Sequence, residues 1–295
     1  MDVLIYHDVI GNYLLAKHKT VKTELDNIRT AIIEKSNNRL VISKNYVTFL
    51  EQLFKDSDIV GDIFTSFITE LIDEMATKLL NVSVNLKSKN IDEEFKGIHS
   101  AYAGSFIVPI AEKNPSTTIN FPIGILDLAL PIHKNLLKLL AAYHSYTFRY
   151  NDFNTDIDIL SFFNEIYSLF RKIDSVIFFD RYCNIEYHNY FNELKGKNID
   201  IQYYTSGVAL NESMIRERKE KIKGYFGKHK TTLYITKSKD KIHERKIIIN
   251  KVLIIETDDD FAEIKRARLT WKVDINYSSD IVTSLLAKCD DFTRI

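Results

Sequence analysis

The sequence has little of what marks secreted, membrane-spanning and nucleotide-binding proteins. It contains only two cysteines, Cys183 and Cys289, whose separation excludes a paired zinc motif and favours a reducing compartment. No apolar run approaches the about 18 residues of a transmembrane helix, and the first residues lack the basic flank and cleavage site of a signal peptide. Its 9 glycines form no phosphate-binding loop, which argues against ATP or dinucleotide binding. We therefore expect a cytoplasmic protein without a transmembrane segment.

An excess of one charge is also lacking, because 40 basic residues balance 40 acidic ones. The overall charge therefore does not indicate a nucleic-acid partner. The charge is nevertheless uneven, since Asn211–Lys246 contains twelve Lys or Arg residues against five Asp or Glu residues. A basic face beside a sheet could concentrate an anionic ligand. Alternatively, the cations belong to a solvated helix and pair with Glu217 and Glu220.

Proline is confined to one stretch, since all 4 prolines lie between Phe106 and Pro131. Proline interrupts helices, so this apolar stretch predicts two short strands and a loop. Elsewhere, strand-like and helix-like patterns alternate and predict the α/β fold class. The polar run Asn151–Asp158 separates two predicted α/β domains, residues 1–150 and residues 158–295.

The segment Ile242–Ile249, IHERKIII, offers the most chemistry. It lies between the strand-like runs Thr231–Thr236 and Lys251–Glu256. His243, Arg245 and Lys246 could hold a phosphate together, and arginine can do so with two parallel hydrogen bonds. Alternatively, His243 ends a strand and takes part in a local hydrogen-bond network.

The surrounding sequence resembles a phospholipase D-like domain, in the single-copy version found in MIT-domain proteins associated with ESCRT-III and the midbody. The similar region is roughly Ile173–Phe292. Asp180 and Tyr182 match an aspartate-x-tyrosine motif, and His243, Glu244 and Arg245 match a histidine-acid-arginine motif. An acidic turn at Asp258–Phe261 follows. The resemblance implies a phospholipase D-like sandwich that binds phosphate through His243, Arg245, Lys246 and Tyr182.

The resemblance also implies a chemistry. In catalytic phospholipase D-like sites a histidine attacks phosphorus, a lysine two residues later neutralises the oxygens, and a second copy supplies the acid. His243 would be the catalytic residue, but Arg245 takes the place of the lysine. The chain has no second histidine-x-lysine pair, so catalysis would require a homodimer. The ESCRT-associated domains bind phosphoinositide membranes, which favours a binding role.

The beginning of the chain resembles PIN-like nucleases. Asp8 follows the first strand, and Glu51 lies in the helix after the second, as two acids do in that family. Asp127 could be a third acid, and clustered carboxylates would hold Mg²⁺ or Mn²⁺ for phosphodiester attack, with Asp8 as a catalytic residue. Alternatively, Asp8 is a helix cap or a turn residue, which is common after a first strand.

Together these patterns predict a phosphate-recognising two-domain effector, nuclease-like in its front domain. The back domain would bind nucleic acid or the phosphate of an anionic phospholipid. By analogy, such an organisation suits a prokaryotic antiphage defence system with partner proteins from the same operon. The alternative is a non-catalytic adaptor that docks on a membrane or on a partner protein.

Overall fold

The computed structural model describes most of the chain, and contacts divide it into two units. The first unit comprises Met1–His144 with Ser168–Arg171, and the second comprises Ser145–Tyr167 with Lys172–Ile295. The described residues are 1–17, 23–34, 38–55, 60–73, 79–84, 87–102, 108–111, 126–127, 136–149, 156–170, 172–183, 189–194, 198–227, 230–238, 242–243, 245–258 and 272–295. The predicted domain limits, residues 1–150 and 158–295, stay a prediction.

The first unit is built on a parallel sheet of five strands in the order β3-β2-β1-β4-β5. Its strands are β1 (Asp2–Ile5), β2 (Arg39–Ile42), β3 (Leu79–Asn81), β4 (Val108–Ala111) and β5 (Leu126–Asp127). Its helices are α1 (His7–Lys17), α2 (Glu24–Glu34), α3 (Lys44–Lys55), α4 (Val60–Asp73), α5 (Ile91–Ala101) and α6 (Leu136–Tyr143). The strand β1 is buried along its whole length, as expected of a central strand in a parallel sheet.

The helices of the first unit follow from apolar spacing and capping. In α3 the buried side chains are Tyr46, Leu50 and Phe54, which recur every four residues and therefore share one face. The helix α2 begins with a reciprocal cap, in which Thr23 and Asp26 each bond the backbone N–H of the other, the arrangement of a capping box. The start of α2 is therefore encoded by its own sequence.

The second unit is built on a mixed sheet of eight strands in the order β13-β9-β8-β7-β10-β11-β12-β6. Its strands are β6 (Ser145–Arg149), β7 (Ser175–Phe179), β8 (Asp200–Ser206), β9 (Lys230–Thr236), β10 (Arg245–Ile249), β11 (Leu253–Thr257), β12 (Lys272–Tyr277) and β13 (Thr293–Arg294). Its helices are α7 (Asp156–Ser168), α8 (Glu212–Phe226) and α9 (Ser279–Leu286), with a 3-10 helix at Asn189–Leu194. The strands β7, β8 and β9 are parallel, and the other pairings are antiparallel.

Aromatic side chains cover both faces of this sheet. On one face, the ring of Phe178 packs against Tyr203, against Phe191 of the 3-10 helix and against Phe226 of α8. On the other face, Phe179 and Tyr204 belong to a cluster that includes Val282 of α9. Adjacent residues of β7 and of β8 point to opposite faces, as the pleat of a strand requires.

The mixed α/β class predicted from the sequence is confirmed, and so are most of the predicted strands. The run His243–Glu256 forms the hairpin β10–β11, whose turn residues Asn250 and Lys251 have φ values of 50° and 57°. The backbone N–H of Val252 donates to the carbonyl of Ile249 at 3.1 Å, and positive φ values at both central residues of such a turn are typical of type I′. The predicted strands of the proline stretch match β4 and β5, while Glu244 and residues 259–261 of the predicted acidic turn lie outside the described residues.

Candidate functional site

Two motifs distant in sequence meet at one edge of the second sheet. The strands β7, β8 and β9 are parallel, so their carboxyl ends share an edge, and β10 begins there because it runs antiparallel to β7. Lys246 lies opposite Phe179 in the register, which places Arg245 level with Asp180. The predicted residues His243, Arg245 and Tyr182 are therefore brought to the same edge.

Asp180 is the buried residue that holds the backbone of this edge in place. Its side chain is fully buried, and it accepts hydrogen bonds from the hydroxyl of Tyr203 and, at 3.1 Å, from the backbone N–H of Tyr182. Burial, and then the Asp180 charge, raise the pKa of Tyr203 well above its usual value. The phenol therefore stays protonated and donates to the carboxylate, which fixes the backbone that carries Tyr182.

Tyr182 is flanked by two arginines. Its side chain is 49% exposed, and the guanidinium carbons of Arg245 and Arg181 lie 5.3 Å and 5.8 Å from the centroid of its ring. Both distances are within the range of cation–π attraction. The structure thus places a half-exposed tyrosine within 6 Å of two guanidinium groups.

Arg245 has one hydrogen bond and one buried donor without an acceptor. Its Nη1 donates to the backbone carbonyl of His243 at 2.7 Å, which ties the guanidinium to the loop before β10. Its Nε is buried, and within the described part of the chain it has no hydrogen-bond partner. A buried donor of this kind calls for an explanation, and an anionic ligand that reorients the guanidinium would provide an acceptor.

Lys246 is separated from the other predicted phosphate ligands. Successive residues of a strand point to opposite faces, and Ile248, on the Lys246 side of β10, packs in the cluster beneath α9. The Nζ of Lys246 lies 2.6 Å from Oε2 of Glu256. The side chain is thus engaged in an ion pair on the face opposite Arg245, and its role in binding phosphate stays a prediction.

Further cations near this edge were not identified from the sequence. Arg218 of α8 donates from Nη1 to Thr205 Oγ1 at 3.2 Å and to the carbonyl of Ser206 at 2.9 Å. The Thr205 hydroxyl in turn donates to the carbonyl of Arg181 at 3.1 Å. The excess of Lys and Arg in Asn211–Lys246 was the signal that could have identified Arg218.

Cys183 lies under this basic edge. It is buried and has a φ of 61°. Burial, followed by the Asp180 charge, raises the pKa of its thiol to about 12, against the opposing effect of the cations Arg218 and Lys221. The thiol is therefore protonated at neutral pH and is a poor nucleophile.

In the first unit, the predicted metal ligands are placed as follows. Asp8 is exposed in the first turn of α1, with Oδ1 3.1 Å from His7 Nε2, and Glu51 is exposed on α3. Asp127 ends β5, two strands from β1 at the same edge of the sheet, and its side chain lies outside the description. Among the described side chains no three His, Cys, Asp or Glu residues form a group that could hold a metal ion. The Mg²⁺ or Mn²⁺ site stays a prediction.

Two other acids, which the sequence did not single out, lie near the carboxyl ends of β1 and β2. Asp92 accepts a hydrogen bond from the Tyr6 hydroxyl at 2.8 Å. Glu94 is fully buried and accepts from the Ser43 hydroxyl through Oε1, while its Oε2 is buried without a partner among the described residues. Their signal was the acidic first turn of α5, directly after its Asn90 cap.

Comparison with known proteins gives likenesses to solved structures. No protein-family model and no curated protein matches the chain. A phospholipase D family member, Nuc from Salmonella typhimurium, is similar with a TM-score of 0.33 and 10% identity, over 51% of this chain and 97% of that one. NucT from Helicobacter pylori has a TM-score of 0.34 and 11% identity, over 51% and 98%. TrmBL2, an archaeal chromatin protein with a novel mode of DNA binding, has a TM-score of 0.30 and 12% identity, over 52% and 56%.

These likenesses are coarse and assign no function to this chain. The resemblance of the second half of the sequence to phospholipase D-like domains stays a prediction. The link to MIT-domain proteins and the PIN-like character of the first unit stay predictions. In the described part of the chain, no helix has the length and apolarity needed to cross a membrane.

Proposed function

We propose that this protein is a phosphate-recognising, nuclease-like effector of two α/β domains. Its second domain, which we infer to be phospholipase D-like, binds the phosphate of a nucleic acid or of an anionic lipid through Arg245 and His243, beside Tyr182. The observation that carries the proposal is the Arg245 guanidinium, which is held at the sheet edge and has a buried Nε without a partner among the described residues.

The charges around Arg245 support an anionic ligand. Arginine forms paired hydrogen bonds to phosphate and stays charged at every relevant pH. The guanidinium of Arg181 lies beside the Tyr182 ring, as that of Arg245 does. Arg218 donates to the Thr205 hydroxyl, which in turn donates to the backbone carbonyl of Arg181. Several cations at one edge raise the local positive potential and so attract phosphate.

Binding is tested first with probes that carry phosphate but no nucleobase. These are an abasic oligonucleotide and vesicles that contain a phosphatidylinositol phosphate. Arg245→Ala should weaken binding to at least one probe by about 10- to 150-fold, the effect of losing a hydrogen bond to a charged group. The matched control is Arg294→Ala, on the exposed edge strand β13, which should leave affinity unchanged. If the wild-type protein binds neither probe, the proposal fails.

Whether the protein cleaves its ligand is tested with a labelled oligonucleotide, in Mn²⁺ and in a chelator. Cleavage that needs Mn²⁺ and is lost in Asp8→Ala would assign a nuclease to the first unit. Cleavage in chelator that is lost in His243→Ala would assign it to the second, where a homodimer would supply two histidines. Binding without cleavage in either condition would favour the non-catalytic adaptor that docks on a membrane or a partner protein.

An antiphage role with partner proteins from a defence operon rests on analogy with other two-module effectors. It is tested by counting phage plaques on bacteria that express the wild-type protein or Arg245→Ala. Protection that requires Arg245 would support the role, and equal plaque counts with and without the protein would contradict it.

A further inference from the structure

We propose that the basic edge of the second unit binds single-stranded nucleic acid, with Tyr182 as the platform on which a base stacks. Arg181, which precedes Tyr182 in the sequence, and Arg245, from the second motif, would hold the phosphates next to that base. The inference rests on the proposed function, since it names the class of molecule that carries the phosphate.

The exposure and support of Tyr182 carry the first step. Half of a large ring is open to solvent, although its backbone is fixed by the hydrogen bond to the buried Asp180. A ring on a fixed backbone loses little conformational entropy when a ligand stacks on it. Stacking of bases on aromatic side chains beside a positive groove is the usual way in which single strands are held.

The two guanidinium groups carry the second step. Each lies within 6 Å of the Tyr182 centroid, so a base on the ring would have a cation within reach of its own phosphate. The planar guanidinium can also stack on a base face. In a duplex the base faces are already stacked on each other, so this arrangement suits an unpaired strand.

The surroundings of Tyr182 favour nucleic acid over a lipid surface. A protein that lies on a membrane inserts several apolar side chains from one face. Among the described residues, the other exposed large apolar side chains belong to other elements, namely Leu53, Tyr143, Met214, Ile281 and Ile295. Tyr182 thus has two guanidinium groups within 6 Å of its ring, and a lipid headgroup has no flat aromatic ring to stack on it.

The decisive comparison uses two probes with the same phosphates. One is an oligothymidylate of about twelve nucleotides, within the usual site size of single-strand binding folds, and the other is an abasic strand of equal length. We expect the wild-type protein to bind oligothymidylate more tightly. Tyr182→Leu should weaken that binding by about 5- to 150-fold and leave the abasic strand unaffected, whereas Tyr182→Phe should bind both as the wild type does.

The controls separate this inference from the proposed function. Tyr143→Leu removes an equally exposed ring from the first unit and should change neither affinity, while Arg245→Ala should weaken both. Equal affinity for the two strands, or a Tyr182→Leu protein that binds oligothymidylate normally, would overturn the stacking platform but not phosphate binding. Binding to phosphatidylinositol phosphate vesicles without binding to oligothymidylate would also overturn it, in favour of a lipid. Binding to no probe would overturn the proposed function itself.

Discussion

Each unit has an edge at which parallel strands end, and the site described at the first edge is built around acids whereas the site at the second is built around arginines. In the first unit, Asp8 and Asp92 act on the His7 ring, and the buried Glu94 has an acceptor without a donor among the described residues. In the second unit, Arg181 and Arg245 lie near the ring of Tyr182, and the buried Nε of Arg245 has no acceptor within the part of the chain that the structure describes. Among the described residues, a carboxylate oxygen is thus left without a donor at the first edge and a guanidinium N–H without an acceptor at the second.

The two edges differ in whether an aspartate, Asp180 or Asp8, is buried and hydrogen-bonded or exposed to solvent. In the second unit the carboxylate of Asp180 is buried, and both Tyr203 and the Tyr182 backbone donate hydrogen bonds to it. Its charge is thereby compensated by hydrogen bonds inside the fold. In the first unit Asp8 is exposed, which leaves negative charge at the surface. An acidic edge suits cations, and a basic edge suits phosphate.

The largest effect is expected from Asp180→Ala, which should destabilise the protein by removing the buried acceptor beneath Tyr182. The substitution leaves the Tyr203 hydroxyl and the Tyr182 N–H buried or half-buried without their acceptor. Each lost partner costs about 1–3 kcal/mol, so the free energy of unfolding should fall by about 2–6 kcal/mol. Urea unfolding measures this change through the shift of the midpoint.

The control for Asp180→Ala is another aspartate of the same unit. Asp200, at the start of β8, is half-buried and accepts from the Gln202 amide at 3.3 Å. Asp200→Ala should cost less than about 1 kcal/mol, as is usual for sites that hold no buried partner in place. Equal costs for the two substitutions would mean that Asp180 does not anchor the edge.

A smaller effect is expected in the salt dependence of oligonucleotide binding. Each phosphate neutralised on a single strand contributes about 0.7 to the slope of log affinity against log salt. Arg181→Ala and Arg245→Ala should each reduce the slope by about that amount, because each removes a cation beside Tyr182. Asp8→Asn, on the acidic edge, should leave the slope unchanged. A slope that changes with Asp8 rather than with the arginines would place the nucleic acid on the first unit.

The sequence predicts the elements of the basic edge but only part of its geometry. Apolar runs between turns predict β7, β8, β9 and the hairpin β10–β11, since each strand is short, apolar and bounded by polar residues. That Arg245 lies level with Asp180 depends on the strand order, with β10 beside β7. Strand order is a tertiary property, which local patterns do not encode. In the sequence, only the resemblance to a known family indicated that the motif at Asp180 and the motif at His243 belong to one site.

Two residues show where local periodicity could have said more. Lys246 follows Arg245 in a strand, so the two-residue period already separates their side chains. The buried residues of α3 are Tyr46, Leu50 and Phe54. Glu51 directly follows Leu50, so the helical period already places it off the buried face, and its side chain is exposed. The acids Asp92 and Glu94 were harder to find, because their hydrogen bonds to Tyr6 and Ser43 join residues 86 and 51 positions apart.

The smallest effect concerns His7, and it tests how acidic the first edge is. Burial lowers the pKa of His7 below 6.5, while Asp8 and Asp92 oppose the shift. Between the folded and unfolded pKa values the unfolded state binds more protons, so stability rises with pH across that interval. The stability that the neutral His7 ring provides is therefore complete above pH 6.5 and is lost as the pH falls from 6.5 towards the lower pKa of the folded state. His7→Gln should reduce the difference in melting temperature between about pH 7.5 and about pH 5.5. If His7→Gln instead enlarges that difference, Asp8 and Asp92 outweigh burial and stabilise the imidazolium, and the first edge already favours a positive charge.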